Sequence, residues 1–254
     1  MKLFQRIFFA AVLAGLVAGL AYAALQQWKV APLILAAEVF ETAEPAEAAP
    51  AEHTHDAATP AHTHEAAAPA HEHDEDAWAP QDGAERIFYT VLADVLACIG
   101  YALLLAAVSV LGGIEITARN GILFGLAGFI SVQLAPALGL PPELPGMAAA
   151  DLGARQVWWI ATALATGVGI FILARWRNWT SIGICAVLML VPHIIGAPAA
   201  PEEHGAVPAH LATAFAANGI GAAALFWLTV GPLLGWLNER FAGVTIAAPR
   251  AATA

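Results

Sequence analysis

Residues 87–111 read IFYTVLADVLACIGYALLLAAVSVL, 25 residues with Asp94 as the one charged group. A helix needs about 20 mostly apolar residues to cross the hydrocarbon of a bilayer, and this run has them. Five further runs of the same character occur, so six spans are expected: 7–25, 87–111, 121–138, 156–174, 181–197 and 211–237. Composition agrees. The chain of 254 residues is 59% hydrophobic and 12% charged, about half the charged fraction of an ordinary soluble domain. The expected fold class is all-α: a polytopic helical membrane protein, one membrane domain over 1–254, with about six transmembrane helices.

The basic residues set an orientation. With the N-terminus inside, Lys2, Arg6, Arg119, Arg175, Arg177, Arg240 and Arg250 lie on the cytoplasmic side, and Lys29, Arg86 and Arg155 lie outside. That asymmetry follows the positive-inside rule, and an even number of spans then puts both termini in the cytoplasm. Trp28, Trp78, Trp158, Trp159, Trp176, Trp179 and Trp236 fall at or near span ends, as an aromatic belt requires. The first run, followed by Ala21-Tyr22-Ala23, also reads as a signal peptide. Its length favours a retained anchor; cleavage would leave five spans. Val30–Phe40 is apolar but too short to cross, and is expected to lie on the outer face or dip back into the bundle.

Net charge is −10, with many of the acids between Glu38 and Glu85. This excludes a nucleic-acid partner on charge grounds and leaves lipid as the solvent of the apolar surface. The two cysteines, Cys98 and Cys185, each sit inside an apolar run, form no CxxC motif, and read as small buried hydrophobes. Lys2 and Lys29 are the only lysines; neither follows a glycine-rich loop, so no P-loop exists. No HExxH motif supports an intramembrane enzyme, and the chain is read as a non-enzyme. Small residues at four-residue spacing (Ala11, Gly15, Gly19; Gly121, Gly125; Gly231, Gly235) read as close helix contacts.

The outer loop carries the strongest chemical signal. Six of the nine histidines occur as three His-x-His pairs: His53 and His55, His62 and His64, His71 and His73. In an extended chain residues two apart point the same way, so both imidazoles of a pair reach one ion. Adjacent acids attract a dication and accept the second ring N–H. Residues 42–77 show no helical or strand period and are expected to be disordered until metal binds. The 21 residues of 53–73 would reach roughly 25 Å as a flexible coil, enough to pass ions to the bundle. Neutral imidazole is a ligand for Zn, Cu, Ni and Co, with Cu bound most tightly and Co below Ni, so the tract is a metal collector without a stated preference. A solvated low-complexity linker is the plainer reading.

Polar side chains within the spans are the other signal. Counted at ~1.5 Å per residue from the outer ends, Asp94, Gln133, His193 and Asn218 lie roughly 6–10 Å deep, in one layer that Thr162 could join. A carboxylate, an imidazole and two amides make a labile site for a borderline dication; a hydrogen-bond network between helices is the alternative. Pro192 frees a carbonyl near Leu188 or simply kinks the helix. Glu143, Asp151, His204 and His210 are candidates for an entry vestibule.

Several blocks resemble the CbtA family of probable cobalt transporter subunits. They are residues 134–146 (LAPALGLPPELPG) with 150–159 (ADLGARQVWW), residues 191–198 (VPHIIGAP), Gln26-Gln27, residues 31–41 (APLILAAEVFE), and residues 78–83 (WAPQDG) beside the His-rich loop. The likeness covers nearly the whole chain. It implies a bacterial inner-membrane protein tied to cobalt supply for cobalamin synthesis, with CbtB, a small single-span protein, as partner. The family is often described with five spans. His193, Asp151, Glu143, Glu38 and Glu41 are the candidates carried over by position. The resulting expectation is a divalent-metal permease subunit, cobalt favoured over nickel or zinc, with a homo-oligomer allowed. The competing expectation is a metal-binding membrane protein that serves another transporter as donor or sensor.

Overall fold

The computed structural model describes residues 3–42, 78, 80–201 and 206–246, and among these every regular element is helical. Helix α1 (Leu3–Leu25) runs through a π-helical turn (Gln26–Val30) into α2 (Ala31–Thr42) without a break. Helix α3 spans Ala84–Gly112. Helix α4 (Gly121–Gly128) passes through a second π turn (Phe129–Leu134) into the short α5 (Ala135–Ala137). Helices α6 (Leu152–Trp176), α7 (Trp179–Ile195) and α8 (Ala209–Ile246) follow. By length and composition Leu3–Phe40, Ala84–Gly112, Leu152–Trp176 and Ala209–Ala242 suffice to cross a membrane, and two shorter apolar helices, Gly121–Ala137 and Trp179–Ile195, accompany them. The 17 residues of α7 span ~25 Å, slightly under a ~30 Å hydrocarbon core.

The first pass differs from the sequence reading. Val30–Phe40 does not turn back; it continues the first helix into α2. Gln26, Gln27 and Lys29 lower the local hydropathy without lowering helix propensity, and residues 31–41 are mostly good helix formers. The polar interruption is absorbed as a π turn rather than a break.

Packing begins from small residues. Ala10, Ala11, Ala14 and Ala18 are fully buried, because α1 lies between α3 and α8. A Cβ on Gly15 would stand 2.6 Å from Ile99 Cα, and one on Gly19 2.9 Å from Cys98 Cβ. On the other side of α8, Gly121 and Gly125 of α4 face Gly231 and the Trp227 carbonyl at backbone contact. Bilayer helices associate through such contacts because lipid offers no hydrophobic drive between them. The wide outer surface is apolar, with Leu104, Leu164, Val187 and Leu228 all more than 40% exposed. Soluble monomers rarely show contiguous apolar area of this kind.

Gly125→Leu is therefore expected to force α4 from α8. Thermal unfolding in detergent should shift down by the equivalent of about 1–3 kcal/mol. Gly100→Ala, where an added Cβ meets nothing within 4 Å, should leave the midpoint in place. Equal midpoints for both variants would refute the contact.

Polar ties close the two ends. At one, Arg6 pairs with Glu115 at 3.5 Å, Ala118 N–H donates to Glu239 Oε1 at 3.1 Å, and Asn238 Nδ2 donates to the Ile116 carbonyl at 3.4 Å. At the other, Arg86 at the start of α3 forks onto both carboxylate oxygens of Glu38 on α2 and reaches Asp82 at 3.1 Å. The N-terminus of α1, the α3–α4 loop and the C-terminal part of α8 thus share one end.

Candidate metal site

The α1–α3 contact holds the most unusual polar chemistry of the bundle. Gly15 faces Ile99 and Ala102 while Gly19 faces Cys98 and Val95, so the helices run antiparallel and the residues after Gly19 on α1 approach Cys98 and those just before it on α3. On α1 and its π turn these are Tyr22 and Gln26; on α3 they are Asp94 and Cys98. Both pairs are spaced i, i+4, which puts each pair on one helix face. Gln26 Nε2 donates to the Tyr22 hydroxyl at 2.7 Å. Tyr22 lies within electrostatic reach of Asp94 and Cys98. Asp94 Oδ2 and Gln26 Oε1 are both buried and accept no hydrogen bond. Beneath them Tyr22 and Tyr101 pack on Phe226 of α8, with ring centroids 6.1 and 6.4 Å apart.

The other intramembrane candidates lie elsewhere. His193 on α7 stands edge-on to Trp158 of α6, centroids 5.7 Å apart, and Trp158 Nε1 donates to the Pro192 carbonyl at 3.2 Å. Trp158 is buried between α6 and α7. The Pro192 carbonyl also takes the Gly196 N–H at 3.1 Å. Asn218 donates to the Ala214 carbonyl one turn back at 2.7 Å. Gln133, in the second π turn, lines a cleft with Glu143, Arg155 and Trp159. Thr162 is fully buried on α6, its hydroxyl unpartnered. Asp94 and His193 thus sit on different helix pairs, and α3 and α7 are not packed neighbours. Counting residues fixes depth along a helix but not which helices adjoin. Among the described residues no three His, Cys, Asp or Glu side chains converge.

The vestibule candidates have structural partners. Glu143 pairs with Arg155 at 2.7 Å. Asp151 caps α6, accepting the Ala154 N–H at 2.8 Å. Glu38 is held by Arg86. Glu41 falls on the last turn of α2, and His210 is exposed in the first turn of α8. His53, His55, His62, His64, His71, His73 and His204 lie outside the described residues. Sequence reading found Asp94, a charge in an apolar run, but missed Tyr22, Gln26 and Cys98. The paired i, i+4 spacings were the available signal; the partnership of α1 with α3 was not.

Residues 4–239 match a family model described as "Probable cobalt transporter subunit (CbtA)". No curated protein and no solved structure gives a match.

Proposed function

This chain belongs to the CbtA family of probable cobalt transporter subunits, and from that premise we propose that it carries divalent cobalt across a bacterial inner membrane. Both termini lie in the cytoplasm. The His53–His73 tract collects the ion on the periplasmic side, and Asp94 receives it within the bundle. The observation that carries the intramembrane step is the buried Asp94 oxygen with no donor. A carboxylate at lipid depth usually marks an ion pathway or has a partner in the bundle.

The fold supports a direct hand-over. The Glu38–Arg86 pair ties together the two helices from which the loop departs, so the loop is rooted beside the α1–α3 seam. Asp94 lies eight residues further along α3 than Arg86, or ~12 Å. A tract reaching roughly 25 Å covers that distance. The burial of the α1 alanines supports a retained first span. A small single-span subunit of the CbtB type completes the transporter, with nickel and zinc as competing ions.

A second reading has one observation in its favour. No three strong ligands meet among the described residues, which leaves the loop as the densest ligand set and would suit a metal donor or sensor. Cobalt accumulation separates the two. Cells lacking their own cobalt uptake, supplied with this chain and its partner subunit, should accumulate the metal, with excess Ni2+ or Zn2+ competing. A donor or sensor would leave accumulation at the level of the empty cells.

A further inference from the structure

The seam described above contains more ligand chemistry than one carboxylate. Asp94 Oδ2 and Gln26 Oε1 are acceptors that lack donors in a place without bulk water. Both residues lie about Tyr22, which takes the Gln26 amide hydrogen bond and is within electrostatic reach of Asp94, and two such oxygens are satisfied together by a cation and by few other things in a bilayer. Gln26 is oriented for this. Its amide nitrogen is occupied by Tyr22, which turns the amide oxygen free. It opens a π-helical turn, an irregularity that recurs at functional sites because it re-aims side chains.

The sulfur of Cys98 lies in the same place. It sits one turn from Asp94 on the same face of α3, and a Cβ on Gly19 would stand 3.6 Å from Sγ, so the thiol points into the α1 contact. The other cysteine, Cys185, lies on α7, with its sulfur 3.8 Å from that of Met189.

We propose that Tyr22, Gln26, Asp94 and Cys98 together form an intramembrane binding site for a divalent cation of borderline softness. Asp94 supplies the charge, Gln26 and Tyr22 supply neutral oxygens, and Cys98 supplies sulfur, giving up its proton to the medium on coordination. Oxygen ligands alone would admit Mg2+ and Ca2+. A thiolate disfavours those ions and favours Co2+, Ni2+ or Zn2+. Selectivity against the abundant hard dications therefore resides in Cys98, not in the histidine loop. This rests on the reading of the chain as a cobalt carrier and assigns its internal ligands.

Cobalt reports its own ligands by absorption, and histidine and carboxylate give no sulfur charge-transfer band. The full-length protein, purified in detergent, can therefore be titrated with CoCl2 while its loop is occupied. A sulfur-to-cobalt band saturating at one ion per chain is expected. Cys98→Ser should abolish the band, and Cys185→Ser should retain it. Gln26→Leu should retain it with affinity weakened on the order of tenfold, so the assignment does not hang on one variant. No band in the wild type, or a band that survives Cys98→Ser, overturns the site. Transport without the band refutes these ligands and spares the proposed function; the band without transport does the reverse.

Discussion

Asp94→Asn is expected to lower cobalt uptake by at least about tenfold at subsaturating metal, while the protein inserts normally and unfolds at the same temperature or higher. Asparagine keeps the size and one acceptor oxygen but removes the charge that holds a dication. Truncating one member of a desolvated charge pair weakens binding by about 2–5 kcal/mol, at least about thirtyfold, so a tenfold loss of uptake is a floor. The stability half of the expectation has the opposite sign. Without metal, Asp94 Oδ2 is buried with no partner, and a charge in that position destabilises the empty bundle. Neutralising it relieves that strain. Such a trade, with function lost and stability kept or gained, is typical of a binding group. A structural carboxylate would lose both together. Uptake of labelled cobalt, measured beside thermal unfolding in detergent, checks the two halves. Normal uptake by Asp94→Asn removes Asp94 from the pathway.

Deleting residues 53–73 should act at a different point of the concentration curve. In the proposed function the tract raises local metal concentration near the α1–α3 mouth, as a tethered binding site would. Its loss is expected to raise the half-saturating cobalt concentration on the order of tenfold, with little change in the maximal rate. Uptake measured across a cobalt series gives both quantities. A fall in maximal rate at unchanged half-saturation would assign the tract to the translocation step. An unchanged curve would make it a linker with no part in capture.

Much of the fold was legible because the bilayer imposes coarse constraints. Runs such as 87–111 announce helices by length alone, and the missing surface charge announces lipid. What hydropathy reads poorly is continuity. Gln26 to Lys29 look like the end of a span, yet the backbone carries on through a π turn into α2. The candidate site was half legible for a similar reason. Asp94 stands out against its neighbours, but Tyr22, Gln26 and Cys98 acquire meaning only when α1 is known to lie on α3. The same ignorance of neighbours joined Asp94 to His193, which packs on Trp158 instead. Two of the vestibule candidates have partners that the sequence reading did not assign. Asp151 three residues before Ala154 is an N-cap pattern, and Glu143 meets Arg155 across the loop that leads into α6.

In the proposed function a dication crosses the membrane through this bundle. Purified chain reconstituted into liposomes, with its single-span partner, tests it most directly when internal cobalt is followed after external addition. Entry above that of empty liposomes, abolished by Asp94→Asn, is expected. Entry no faster than through bare lipid, from a preparation shown to be folded and inserted, would contradict it.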